Sequence, residues 1–122
     1  MSGDIYFGID MSLPSGLNDG YVNTATFEAF GDLIRDALSN KYKNELEIIV
    51  EGEPMSIYSF VELSSIDYNN VIKQIRMHIA SMIEPTPWQQ KGVWVWMEMA
   101  EPFIRKDARY DFTFHGEAPP VP

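Results

Sequence analysis

The sequence predicts an α+β fold, a two-layer sandwich with an antiparallel sheet of about five strands and two main helices on one face. Three observations lead there. Apolar residues recur at helical spacing in two segments, Phe27, Phe30, Ile34 and Leu38 in one and Tyr68, Ile72, Ile75 and Ile79 in the other. Three further segments, 45–51, 92–99 and 109–115, alternate apolar and polar residues as half-buried strands do. Clusters of turn-forming residues punctuate the chain between them. The resulting order, β-α-β-β-α-β-β, is the ferredoxin-like order with one strand added.

Each element has its own signal. Ile5 to Ile9 reads as a short, mostly buried strand, and MSLPSGLNDGYVN as a loop rich in turn formers. Asn23 or Thr24 caps the first helix, which ends near Ser39 and Asn40. In the next strand Leu46, Ile48 and Val50 point inward while Glu45, Glu47, Ile49 and Glu51 point outward. Gly52-Glu53-Pro54 then turns the chain into a hairpin whose second strand covers 55–62. The second helix starts at an Asp67 N-cap stapled by Ile66 and Val71, and runs to Ile83. EPTPW stops it, because Pro85 and Pro87 cannot continue a helix. A strand over Gly92 to Met99 follows, then the connector AEPFIRKDA with a helical turn at Pro102. The last strand alternates Tyr110, Phe112 and Phe114 with Arg109, Asp111, Thr113 and His115. Residues 1–115 thus form a single α+β domain, and 116–122 a flexible Pro-rich tail.

Composition narrows the function. A chain of 122 residues with 45 % apolar residues suffices for one core without crosslinks. It has no cysteine, which removes disulfides, thiolate metal sites and cysteine nucleophiles. The start MSGDIYFGID lacks the basic and apolar regions of a secretory signal, and no run has the length of a membrane span, so a cytoplasmic location is expected. The formal charge is −9. Five acids and no base fall within 1–34, and six acids and no base within 44–72. Such a field repels nucleic acid and anionic membranes and attracts basic proteins, so neither nucleic acid nor membrane is an expected partner.

Reactive constellations are absent from the pattern. His78 lies beside the apolar stripe of the second helix and reads as a core-edge histidine bonded to a neighbour. His115, with Asp111 and Glu117 near it in sequence, is the one candidate for acid–base work. No spacing fits zinc, iron or calcium, and no glycine-rich loop precedes a lysine to cradle phosphate. No catalytic residue, metal or cofactor is assigned.

The segment KGVWVWMEM raises a different possibility. As a strand it turns Val93, Val95, Met97 and Met99 one way and Trp94, Trp96 and Glu98 the other. If both helices cover one sheet face, the opposite face carries Glu45, Glu47 and Glu51 beside Trp94, Trp96 and Glu98. Indoles among carboxylates make a docking surface for a basic partner, since tryptophans are frequent interface anchors worth about 2 kcal/mol or more each. The alternative keeps both indoles inside, under the N-terminal loop or the connector.

In size, charge and layout, through to its closing run ARYDFTFHGE, the chain resembles the immunity proteins of bacterial toxin–immunity pairs, such as those of contact-dependent growth inhibition. The resemblance implies a protein-binding inhibitor, monomeric when free, that neutralises a cognate toxin domain, often a basic nuclease, inside the cell. Two other readings stand beside it. One is a self-associating structural or regulatory domain, which concentrated negative charge opposes. The other is a small ligand-binding domain or enzyme built around His115.

Overall fold

The computed structural model describes residues 2–7 and 19–119. The chain is α+β, but the sheet of five strands under two helices does not form. Among the described residues there are three strands and four helical rods. The central strand β1 (Ser2–Tyr6) pairs antiparallel with β2 (Asp19–Asn23) and parallel with β3 (Ile57–Ser59). Most of the predicted 11–23 loop and the end of the first predicted strand lie outside the described residues, as does 120–122. Alternation sets the inner face of β1, where Ile5 and the following Phe7 are fully buried.

The first helix, α1 (Thr24–Leu38), forms where its apolar spacing places it. The Asn23 side chain accepts from Thr26 N at 2.9 Å, and Phe27, Phe30, Ile34 and Leu38 are buried. It is the hub of the molecule, packing on β1, β2 and every other long helix. Helix α2 (Lys43–Val50) replaces the first strand of the predicted hairpin. Leu46 and Ile49 are its buried residues, three apart, so Ile49 faces the core rather than solvent. A short 3₁₀ turn over Glu53–Met55 leads into β3, the only part of 55–62 that is strand.

Helix α3 (Ser65–Ala80) buries Tyr68, Ile72 and Ile75 as its periodicity requires. Its cap is Ser64, whose hydroxyl accepts from Asp67 N at 3.2 Å, and Ile66 is 75 % exposed, so no staple forms. The fourth rod is the largest departure. Helix α4 (Pro87–Val95), a π turn (Trp96–Ala100) and α5 (Glu101–Ile104) run on without a break where a strand and a connector were predicted. Thr86 and Gln89 cap it reciprocally: Gln89 N donates to Thr86 Oγ1 at 3.1 Å and Thr86 N to Gln89 Oε1 at 2.9 Å. Pro87 therefore opens a helix, at the position where its missing N–H is harmless. Gly92, Val95, Trp96 and Ala100 are buried at helical intervals. The π turn ends two residues before Pro102, whose ring would otherwise clash with a carbonyl one turn back.

Gly92 lets α4 touch α1. A Cβ there would stand 2.7 Å from the Ala29 carbonyl oxygen and 3.2 Å from Leu33 Cβ. The predicted last strand is also absent: 109–115 forms turns, with Tyr110 buried and Phe114 at the surface.

Candidate functional site

The structure separates the residues from which the sequence composed its docking face. Trp94 is 53 % exposed whereas Trp96 is fully buried, because neighbours two apart share a strand face but diverge on a helix. The Trp96 ring lies against Phe60, and its N–H donates to Glu101 Oε2 at 2.7 Å. Trp96 therefore belongs to the core. Glu98 is exposed in the π turn. Glu45 is half-buried in the first turn of α2, and Glu47 and Glu51 are exposed on that helix and just beyond it. Helix α2 packs on α1 and β3, while α4 packs on α1, so these acids and Trp94 are carried by helices that are not principal neighbours. The bare sheet face that was to unite them does not exist.

A different surface joins an indole to carboxylates. Glu28, Asp32 and Asp36 are exposed at four-residue intervals and form one stripe along α1. Trp88, in the first turn of α4, donates its indole N–H to Asp32 Oδ2 at 2.8 Å and is 38 % exposed. It stands between two clefts. One, of about 480 Å³, is lined by Glu28, Asp32 and Glu53 over the aromatic rings of Phe27 and Tyr58. The other, of about 330 Å³, is lined by Asp32, Asp36 and Met82. Farther along the rod, Lys91, Trp94 and Met97 continue an outward edge, with a third hollow of about 310 Å³ at Trp94.

Within the first cleft Arg35 donates to Glu53 and lies 3.9 Å from Asp32, so the local charge is only partly neutralised. The Tyr58 hydroxyl donates to Glu53 Oε2 at 2.7 Å. Burial raises its pKa, which the Arg35 charge only partly offsets, so the phenol stays a neutral donor. Gly31 makes room for that hydroxyl, since a Cβ there would lie 2.1 Å from it. The sequence does carry signals for this surface, in the spacing of the acids at 28, 32 and 36 and in Thr86-Pro87-Trp88-Gln89, a capping box around a proline at the first helical position.

The histidines lie elsewhere. His78 is half-buried, and its Nε2 meets no hydrogen-bond partner among the described residues, contrary to the bonded core-edge histidine expected. His115 stacks on Tyr110 with centroids 4.7 Å apart and holds Nε2 3.0 Å from Asn69 Oδ1. That oxygen also accepts from Asp111 N at 2.9 Å, which fixes the imidazole within a C-terminal arm. Glu117, which the sequence put in the tail, bonds Tyr110 and pairs with Arg105 at 3.2 Å and Arg76 at 3.5 Å. Among the described residues no group of His, Asp and Glu is arranged to hold a metal ion, and no helix is long and apolar enough to cross a membrane.

This arm should loosen in acid. Burial and then the Arg76 charge depress the His115 pKa below its ordinary 6.5, with Glu117, Asp111 and Glu101 opposing. The hydrogen bond from Tyr110, followed by Arg105 and Arg76, depresses the Glu117 carboxyl below its ordinary 4.5. In both cases the unfolded chain binds its proton first, so stability falls as pH falls. The His115 contribution is lost on descending from pH 6.5 through its lower folded value, and that of Glu117 on descending from pH 4.5. Protection of the Asp111 and His115 amides, measured against the intrinsic exchange rate at each pH, should fall in those two steps, and His115→Asn should abolish the upper one. Unchanged protection between pH 7 and 5 would contradict this assignment.

No protein-family model, no curated protein and no solved structure matches the chain.

Proposed function

We propose that the chain is a protein-binding inhibitor of the immunity-protein kind, which takes a basic toxin domain on the acidic face between α1 and α4. The observation that carries the reading is Trp88, an indole fixed by Asp32 between two clefts edged with carboxylates. An anchor already held in one orientation loses little freedom on docking, and the clefts beside it offer places for the partner's side chains. The stripe of Glu28, Asp32 and Asp36, within a chain of net charge −9, steers a basic partner in and turns acidic competitors away. The same charge disfavours nucleic acid and anionic membrane, and disfavours this face meeting its own copy, so the free protein is a monomer.

The test is to sequence the neighbouring reading frame and co-produce the chain with any toxin domain found there. Wild type should restore growth and co-purify with that domain. Trp88→Ala should retain the fold and weaken binding by about 30-fold or more, the scale of an interface hot spot. Asp36→Lys should slow association and flatten its salt dependence. A fully protective Trp88→Ala variant would move the interface off this face. A dimer in sedimentation that dissociates on Trp94→Ala would favour self-association instead.

A further inference from the structure

The cleft between α1 and Trp88 already holds one guanidinium. Arg35 donates to Glu53, keeps a second nitrogen 3.9 Å from Asp32, and has Cζ 5.9 Å from the centre of the Tyr58 ring. Beneath it lies a buried, stacked aromatic pair, Phe27 and Tyr58, with centroids 4.0 Å apart and planes 8° from parallel. Trp88 forms a wall, set by its bond to Asp32. Carboxylate acceptors beside the part-exposed indole of Trp88 are what binds a planar cation. Arg35 does not exhaust them. Glu28 is exposed on the cleft and makes no hydrogen bond or ion pair among the described residues. The volume of about 480 Å³ lies within the range of pockets that take small ligands.

We propose that this cleft is a receptor for a second guanidinium, an arginine side chain presented by the basic partner, which enters beside Trp88 and ends on Glu28 and Asp32. A row of acids on a helix attracts any cation; the resident Arg35, bound to Glu53 in the same cleft and 3.9 Å from Asp32, is what assigns the cleft to a guanidinium. Arginine suits it better than lysine. A planar fork can stack on a ring while it donates to two carboxylates, whereas an ammonium is a strongly hydrated point charge that gains less from the aromatic surfaces. The proposal rests on the protein-binding reading for the source of the arginine, but the chemistry of the cleft can be tested without any partner.

The experiment titrates Nα-acetyl-arginine amide into the whole chain and follows the indole N–H resonances. The Trp88 signal should move saturably while that of buried Trp96 stays in place. The citrulline analogue has the same shape without the charge and should bind at least about tenfold more weakly, the loss expected for a charge-assisted hydrogen bond. The lysine analogue should fall between the two. Glu28→Gln, at an exposed position, should weaken the arginine probe severalfold and leave the fold unchanged. Equal binding of citrulline, equal binding of lysine, or an unaffected Glu28→Gln variant would each overturn the assignment. The two readings also fail differently. A chain that takes the probe but neutralises no basic partner keeps the cleft and loses the inhibitor reading. A partner bound equally well by wild type and Glu28→Gln keeps the inhibitor reading and loses the cleft.

Discussion

Trp96→Ala should destabilise the fold by about 3–5 kcal/mol, the range for truncating a buried large aromatic, and in a domain of ordinary stability that leaves a substantial unfolded fraction. Its ring is fully buried, with the Phe60 centroid 6.3 Å away, at the point where the fourth rod meets the aromatic cluster of Phe7, Phe30 and Phe60. Its N–H donates to Glu101 Oε2, a carboxylate that Arg76 Nε and Nη2 also hold at 2.8 and 2.6 Å. Truncation therefore opens a cavity and removes one donor from a part-buried ion pair. Trp96→Phe separates the two effects: it keeps most of the volume and should lose about 1.5–3 kcal/mol for the hydrogen bond to a charged group. Trp94→Ala is the control, since its half-exposed ring should change stability by less than about 0.5 kcal/mol. Urea midpoints of the three variants decide the matter. Equal midpoints for Trp94→Ala and Trp96→Ala would mean that both indoles share one environment. Because the same rod carries Trp88 and Trp94, Trp96→Ala should also abolish partner binding, through loss of the scaffold rather than of a contact.

That pair of tryptophans also marks the limit of what periodicity can say. Along 92–99 the apolar residues satisfy two templates at once: alternation places 94 and 96 together, and a helical stripe joins 92, 95, 96 and 100. The arbiter lies outside the segment, in Thr86-Pro87-Trp88-Gln89, where a proline reads either as a stop for the helix before it or as a start for the one after. Helix α2 repeats the ambiguity at Leu46, Ile48, Ile49 and Val50, where eight residues are too few for either period to win on its own. By contrast α1 and the body of α3 are long, singly patterned and capped by Asn23 and Ser64, and their buried faces are the predicted ones. The tyrosine and phenylalanines of 109–115 alternate for a reason unrelated to a sheet. Tyr110 stacks on His115 and meets Phe112 edge-on, an arm held together by its own rings. The acidic stripe of α1 was readable in the sequence, but its link to Trp88 was not. That link spans 56 positions and exists only because Gly92 lets α4 lie against α1.

Arg109→Ala should cost a further about 3–5 kcal/mol, the price of removing one partner from a buried ion pair. The Arg109 and Asp107 side chains are 15 % and 3 % exposed, and Asp107 takes Arg109 Nε and Nη2 at 2.9 Å on its two oxygens. The remaining guanidinium nitrogen donates to the carbonyls of Phe60, Val61 and Leu63 at 2.9, 3.3 and 2.8 Å, and the group lies 3.8 Å from the centre of the Tyr68 ring. One side chain thus ties the C-terminal arm to the loop after β3 and to α3. Alanine at 109 leaves Asp107 buried without its counter-charge and three carbonyls without that donor. Arg109→Lys keeps the charge but not the planar fork, and should recover only part of the loss. Replacing Asp107 and Arg109 together by alanine should cost less than the sum of the single changes, because the second removal relieves the charge that the first left unpaired. Additive losses, or an Arg109→Ala loss below about 1 kcal/mol, would reduce the pair to the level of a surface salt bridge. Since Arg109 does not line the clefts around Trp88, residual folded Arg109→Ala protein should bind the arginine probe with unaltered affinity, which separates the element that holds the molecule together from the surface proposed to serve its function.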